Sequence, residues 1–392
     1  MTARKIAEGI FSVGSIDWNR RLFDELIPLP DGTSYNSYIV KGSQKTALMD
    51  SVDPPKEGEL KQNLKELGID RIDYVVCHHA EQDHSGSIGK VLEWFPAAKA
   101  VTNEKCKGML KDLLLLKDEQ FIVISDKQTL SLGDKTLEFV FAPWVHWPET
   151  MVTYLKEDKI LFSCDFFGSH RAQSGLYVED GAEVLRGAKR YYAEIMMPFR
   201  AAIKGHLEKL KAYDVKMICP SHGPVYREPA LIIDAYKDWT GDAVKNEVIV
   251  PYVSMHGSTR AMVDHFLAKL IDKGITVKPF DLPKTDIGEL AMSLVDAATV
   301  VIGSPAVLAG PHPLALYAAY LANALRPKTR FASIIGSFGW GSKMVETLAG
   351  TLTNLKVEIL EPVIVKGYPK DADFEQIEGL ADRIAEKHKT LS

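Results

Sequence analysis

Cysteine is scarce in this chain, and the four residues present (Cys77, Cys106, Cys164, Cys219) form no CxxC pair. That spacing excludes a zinc ribbon, a thioredoxin-like motif and a fused rubredoxin-type iron site. A disulfide framework is not expected in a chain of 392 residues in this compartment. Cys77, Cys164 and Cys219 lie in or near apolar runs and read as buried thiols. Long apolar stretches are missing too, and none approaches the roughly 20 residues of a membrane span. The opening MTARKIAEGIFSVGSID has neither an h-region nor a small-residue cleavage site, so a cytoplasmic protein is expected. A formal charge of −5 lacks the basic excess of a general nucleic-acid binder. Neither GxGxxG nor GK[ST] occurs, which removes a dinucleotide fold and a P-loop. There is no internal repeat and no low-complexity tract.

What is there is an ordinary globular composition, 46% hydrophobic and 25% charged, long enough for two or three domains. KTALMDSV (45–52) reads as a strand, EGELKQNLKELG (57–68) as an amphipathic helix and DYVVCHH (73–79) as a second strand. SIGKVLEWF follows with Ile88, Val91, Leu92 and Phe95 at helical spacing. Further strands are predicted at 135–143, 151–158, 159–165 and 215–221. Interspersed strands and helices make this an α/β region. Beyond a polar stretch, WTGDAVKNE (239–247), the rhythm becomes a regular alternation: VIVPYVS, VKPFDL, TVVIGSP, FASIIGS and KVEILEPVIVKG, separated by helical patterns. Five strands in about 145 residues suit a doubly wound parallel sheet. The boundary is expected at 240–248, giving domains 1–245 and 246–392.

The stretch CHHAEQDHSG (77–86) is crowded with metal-binding groups: His79, Glu81, Asp83 and His84 follow directly on an apolar run. An extended chain would turn 79, 81 and 83 to one side. A helix is expected from about Ser85, with Ser85 or Ser87 as its cap. Later candidates each end a strand-like run: His146 after FVFAPWV, Asp165 closing ILFSCD and His222 in PSHGP. Four imidazoles and three carboxylates are too many for one zinc and about right for two metals sharing a bridging carboxylate. Zinc hydrolases of similar motif read H-x-H-x-D-H; here the middle imidazole is replaced by Glu81. A carboxylate there hardens the site and favours iron or manganese, and with them redox chemistry.

In the second half, YVSMHGSTRAMVDHF places Ser254, Met255, His256, Gly257, Ser258 and Thr259 between a strand and a helix. Hydroxyls and amides at a helix N-terminus make an anion site, which suits the phosphate of a flavin mononucleotide (FMN). Two further strand ends would frame the ring. One is Ser304, Pro305, Ala306, Val307 and Leu308; the other is Ser337, Phe338, Gly339, Trp340 and Gly341, whose indole offers an aromatic face. His265 and His312 read as surface residues.

HAEQDH, HWPETM (146–151), CDFFGSH (164–170), PSHGP (220–224), YVSMHGST and GSFGWGS, in this order, resemble the flavodiiron proteins, or A-type flavoproteins, over essentially the whole chain. The resemblance implies a metallo-β-lactamase-like αββα sandwich followed by a flavodoxin-like five-stranded sheet. It implies that His79, Glu81 and His146 hold one iron, that Asp83, His84 and His222 hold the other, and that Asp165 bridges the pair. It also implies FMN, a head-to-tail homodimer or dimer of dimers, and reduction of dioxygen to water or of nitric oxide to nitrous oxide. This would be the minimal two-domain form, with the electron donor a separate molecule: rubredoxin, a reduced deazaflavin or a reductase. Trp147 would lie near the junction at which the FMN of one subunit approaches the diiron site of the other, and His170 and the Tyr191–Tyr192 pair are candidates for proton delivery. Many members read SPT followed by Asn in the second flavin loop, where this chain has Ala306 and Leu308. Two other readings stand beside this one. One is a dinuclear zinc hydrolase with a flavodoxin-like domain, and the other is a plain electron carrier with a vestigial metal site.

Overall fold

The computed structural model describes residues 3–391. They form two units, one comprising the residues up to Tyr191 together with Phe199–Thr240, the other Tyr192–Pro198 with the residues from Gly241 onward. The first unit is therefore discontinuous in the chain.

Its first sheet runs, in spatial as in chain order, through β1 (Arg4–Ala7), β2 (Ile10–Ser12), β3 (Tyr38–Lys41), β4 (Thr46–Met49), β5 (Tyr74–Val76), β6 (Lys99–Thr102) and β7 (Phe121–Val123). The strands are antiparallel as far as β4 and parallel beyond it. The second sheet comprises β8 (Thr129–Ser131), β9 (Thr136–Phe141), β10 (Met151–Leu155), β11 (Ile160–Cys164) and β12 (Met217–Pro220), with only the last pair parallel.

Strand alternation sorts the side chains into layers. Ala47 and Met49 of β4 and Val76 of β5 share a core with Leu137, Phe139, Met151 and Phe162 of the opposing sheet. Leu48 and Val75 point the other way, into a core with Leu60 and Leu64 of α1 (Glu57–Glu66), Ile88 and Val91 of α2 (Ile88–Trp94), and Leu110 of α3 (Glu104–Leu114). Each of the larger buried side chains is worth about 1.5–3 kcal/mol, so the first sheet is held in register from two faces.

In the second unit, β13 (Lys245–Tyr252), β14 (Thr276–Asp281), β15 (Ala297–Val307) and β16 (Phe331–Phe338) form a parallel sheet in the order β14-β13-β15-β16. Two short strands, β17 (Glu358–Ile359) and β18 (Val363–Lys366), both pair with β16. The run expected as one strand, KVEILEPVIVKG, is thus broken before Val363, where Pro362 has no backbone N–H to give a ladder. Among the described residues no helix is long and apolar enough to cross a membrane.

Candidate dinuclear metal centre and nucleotide cleft

Seven side chains meet at one edge of the sandwich because strand direction brings them there. Strand β5 is followed by Cys77, His78 and His79, and β11 and β12 end side by side, with Cys164 opposite Pro220. Asp165 and His222 therefore leave neighbouring strand ends. His146 sits in the loop joining β9 to β10, which run antiparallel with Phe141 opposite Met151. The amide of Met151 donates to His78 O at 3.0 Å and stitches the two sheets together at this edge.

After Glu81 the chain does not stay extended: residues Gln82–Ser85 form a helical turn, and α2 starts only at Ile88. Ser85 caps nothing; its hydroxyl donates to Ala80 O at 2.7 Å, and Ser87 makes no side-chain cap bond. The turn separates Asp83 and His84 from His79 and Glu81, so the motif divides between two groups.

The first group is His79, Glu81, His146 and Asp165, and the second is Asp83, His84 and His222, each with donor atoms within 4.8 Å of one another. Glu81 Oε2 lies 3.1 Å from both His79 Nε2 and His146 Nε2. Asp165 Oδ2 lies 3.6 Å from those same two nitrogens. Its other oxygen, Oδ1, faces the second group, 2.9 Å from His84 Nε2 and 3.4 Å from His222 Nε2. Asp83 lies 3.3 Å from His84 and 3.1 Å from His222. The site is buried, with His79 and Asp165 wholly inaccessible.

Close as they are, these groups do not satisfy each other. Both oxygens of Asp83 and of Asp165, and both ring nitrogens of His84, are buried with no hydrogen-bond partner among the described residues. Burial alone would lower the imidazole pKa values. Surrounding carboxylates outweigh it, holding His79 well above the usual range and pushing His222 up to about 10. Asp165 is likewise expected to rise on burial, yet the facing histidines hold it well below the usual carboxylate range. Lone pairs converging in a dry space call for cations in place of protons, and the residues fit a pair of metal ions.

The layer behind the site orients it. His79 Nδ1 is 2.7 Å from Glu149 Oε1, and His222 Nδ1 is 2.7 Å from Ser34 O. Both bonds turn Nε2 toward the cluster. The neighbouring His78 faces elsewhere, bonded to Asp50 at 2.7 Å and Thr153 at 2.7 Å. His170 lies beside His222, ring centroids 4.6 Å apart, with Nδ1 2.9 Å from Thr33 Oγ1. Burial holds His170 well below the usual imidazole range. The ring of Tyr191 sits 4.8 Å from it. Trp147 packs edge-on against His79 at 4.9 Å. Cys164, one of the buried thiols, lies within reach of His84 and Asp165.

In the second unit a cleft of about 210 Å³ is lined by Met255, His256, Ser258, Thr259, Pro305, Ala306, Ser337, Phe338, Gly339 and Gly367. Gly257, at φ +90°, starts the helix Ser258–Asp272 with no side-chain cap bond. The amides of its first two residues, Ser258 and Thr259, are left for a ligand, while that of Arg260 is taken within the loop. Thr259 Oγ1 and Ser337 Oγ are 3.0 Å apart. Other expected contacts stand off the lining. Ser254 takes the amide of Arg260 at 3.2 Å, and buried Ser304 takes that of His312 at 2.9 Å. Val307 and Gly341 do not line the cleft, and Leu308 and Trp340 are 92% and 80% exposed. Gly367 was not expected; the signal for it is a glycine one residue beyond the apolar run VIV, here at φ +79°. His312 is a helix N-cap, its Nδ1 accepting from Leu314 N at 3.2 Å.

A family model described as ODP family beta lactamase matches residues 33–223. The nitric oxide reductase of Moorella thermoacetica is 32% identical over 97% of this chain and 97% of its own length. The solved structure of the rubredoxin oxygen:oxidoreductase from Desulfovibrio gigas superposes with a TM-score of 0.96 at 31% identity, covering 99% of each chain. That of the flavodiiron protein from Giardia intestinalis gives 0.91 at 28% identity, over 99% of this chain and 97% of that one. A β-lactamase-like sandwich, a flavodoxin-like sheet and matches that span both place the chain in the flavodiiron protein family of oxidoreductases.

Proposed function

We propose that the chain is a flavodiiron reductase that passes electrons from a separate donor through FMN to a non-haem diiron centre, reducing dioxygen to water, nitric oxide to nitrous oxide, or both. One observation carries this reading: the two oxygens of Asp165 face different triads, Oδ2 toward His79 and His146, Oδ1 toward His84 and His222. A carboxylate so placed is built to bridge. His79, Glu81 and His146 would hold one iron and Asp83, His84 and His222 the other. When bound, a diiron pair supplies redox equivalents and open coordination positions for a small gas.

The chain's own residues prepare for that chemistry. Three carboxylates would offset the charge of two cations in a largely buried space. Glu81, where zinc hydrolases carry histidine, hardens the site. That substitution, together with the family, disfavours the hydrolase reading. In the second unit, the amides and hydroxyls of Ser258 and Thr259 would take the FMN phosphate. Pro305, Ala306, Phe338 and Gly339 would border the ring. Ala306 gives that ring no side-chain hydrogen bond. The reading carries with it domains 1–245 and 246–392, cytoplasmic action, a head-to-tail homodimer or dimer of dimers, and rubredoxin, a reduced deazaflavin or a reductase as donor.

Anaerobic stopped-flow oxidation of the reduced protein by each gas tests the reading. Rapid reoxidation by at least one gas is expected, with a loss of at least about 100-fold in the Asp165→Ala variant. Gas consumption that survives the substitution would leave the flavin domain as a plain electron carrier and refute the diiron role.

A further inference from the structure

The two triads around Asp165 are chemically alike: each has two imidazoles, one carboxylate and one oxygen of Asp165. What distinguishes them lies behind the imidazoles. On one side His222 Nδ1 meets the backbone carbonyl of Ser34, a neutral acceptor, at 2.7 Å, and His84 Nδ1 has no hydrogen-bond partner. On the other, His79 Nδ1 meets the carboxylate of Glu149 at 2.7 Å.

Glu149 is wholly buried at its side chain, so water does not dilute its charge. The amide of Ala80, next to His79, donates to the same oxygen at 3.0 Å. Asn103 Nδ2 holds the Glu149 backbone carbonyl at 2.6 Å. The second carboxylate oxygen has no hydrogen-bond partner among the described residues. Leaving a buried carboxylate half satisfied costs stability, and a loop tether alone would not need it, because glutamine can accept the same two N–H bonds. Glu149 also lies three residues after His146. One side chain therefore ties the His79 strand end to the His146 loop, and it does so only for the first triad.

Resting on the diiron reading above, we propose that Glu149 is a positioning residue that makes the two iron sites unequal. By accepting the Nδ1–H of His79 it fixes the tautomer, turns Nε2 to the metal and makes that imidazole the stronger donor. The iron held by His79, Glu81 and His146 is then bound more tightly and is harder to reduce than its neighbour. Electrons entering a centre so arranged settle first on the iron of the Asp83, His84 and His222 triad.

The test is chelator competition and spectroelectrochemical titration on the anaerobically purified, iron-loaded protein, comparing wild type with Glu149→Gln and Glu149→Ala. Glu149→Gln keeps the shape and both accepted bonds and loses only the charge. It is expected to bind one iron about 10–100-fold more weakly, leave the other unchanged and raise one of the two reduction potentials. Glu149→Ala is expected to lose that iron first. A Glu149→Gln protein with wild-type affinities and potentials would overturn the proposal. So would equal weakening of both irons alongside a lowered unfolding temperature, the signature of a tether. Wild-type protein that takes up fewer than two irons would overturn the diiron reading, and this inference with it.

Discussion

Single atoms decide much of this site. Gly223 follows His222 at φ +79°, and a Cβ there would lie 2.2 Å from Ser169 Oγ and 2.8 Å from Ser169 O. Its amide donates to Ser34 Oγ at 2.8 Å, while Ser169 N donates to His222 O at 3.1 Å, so the loop carrying His222 is closed on both sides. Gly223→Ala is expected to cost more than about 1 kcal/mol through the left-handed backbone and the clash, and to lower the iron content by moving His222. Unfolding temperature and metal content per chain measure both; wild-type values would show that the close approach is dispensable. At this scale the converging residue types and their strand-end positions are legible in the sequence, which points to His79 and not His78. Glu149 was not legible. Nothing in HWPETM marks that glutamate, whose meaning arises from a 2.7 Å contact to a residue 70 positions away.

At the scale of elements, the candidate ligands are delivered by strands whose register is held some distance from the site. Asp73, just before β5, donates its amide to Thr46 O at 2.9 Å and accepts from Lys99 N at 3.0 Å, linking β4, β5 and β6. Its carboxylate takes Thr46 N, Lys45 Nζ and Arg71 Nε at 3.0, 3.0 and 2.9 Å. Burial pushes this acid up, but those donors more than offset it and hold it below the usual carboxylate range. A depressed carboxylate contributes stability that is present above its unfolded pKa, about 3.9, and is lost as the pH falls through the lower folded value. Asp73→Asn is therefore expected to lower the unfolding temperature by several degrees at pH 6. The gap from wild type should close as the pH drops below about 4. A gap independent of pH would deny the ion's role. The strand and helix pattern was legible where its period is written in apolar residues, as at β4, β5 and α1, but the short strands β1–β3 and β6–β8 and the helix α3 were not read. The turn at Gln82–Ser85 was not, because a four-residue helix has no period to read, and its polar residues serve the site instead of a core.

At the scale of the whole molecule, the change of rhythm along the chain was readable as two α/β parts, the second a doubly wound sheet, and the family adds the sandwich. The membership of Tyr192–Pro198 in the second unit was not readable, since a linear boundary cannot express a discontinuous one. The chemistry nonetheless rests on one question about the intact chain, namely which metal its seven converging side chains select. Elemental analysis of the protein purified without oxygen answers it most directly. The account predicts about two irons per chain, together with bound FMN. About two zincs and no iron would contradict it.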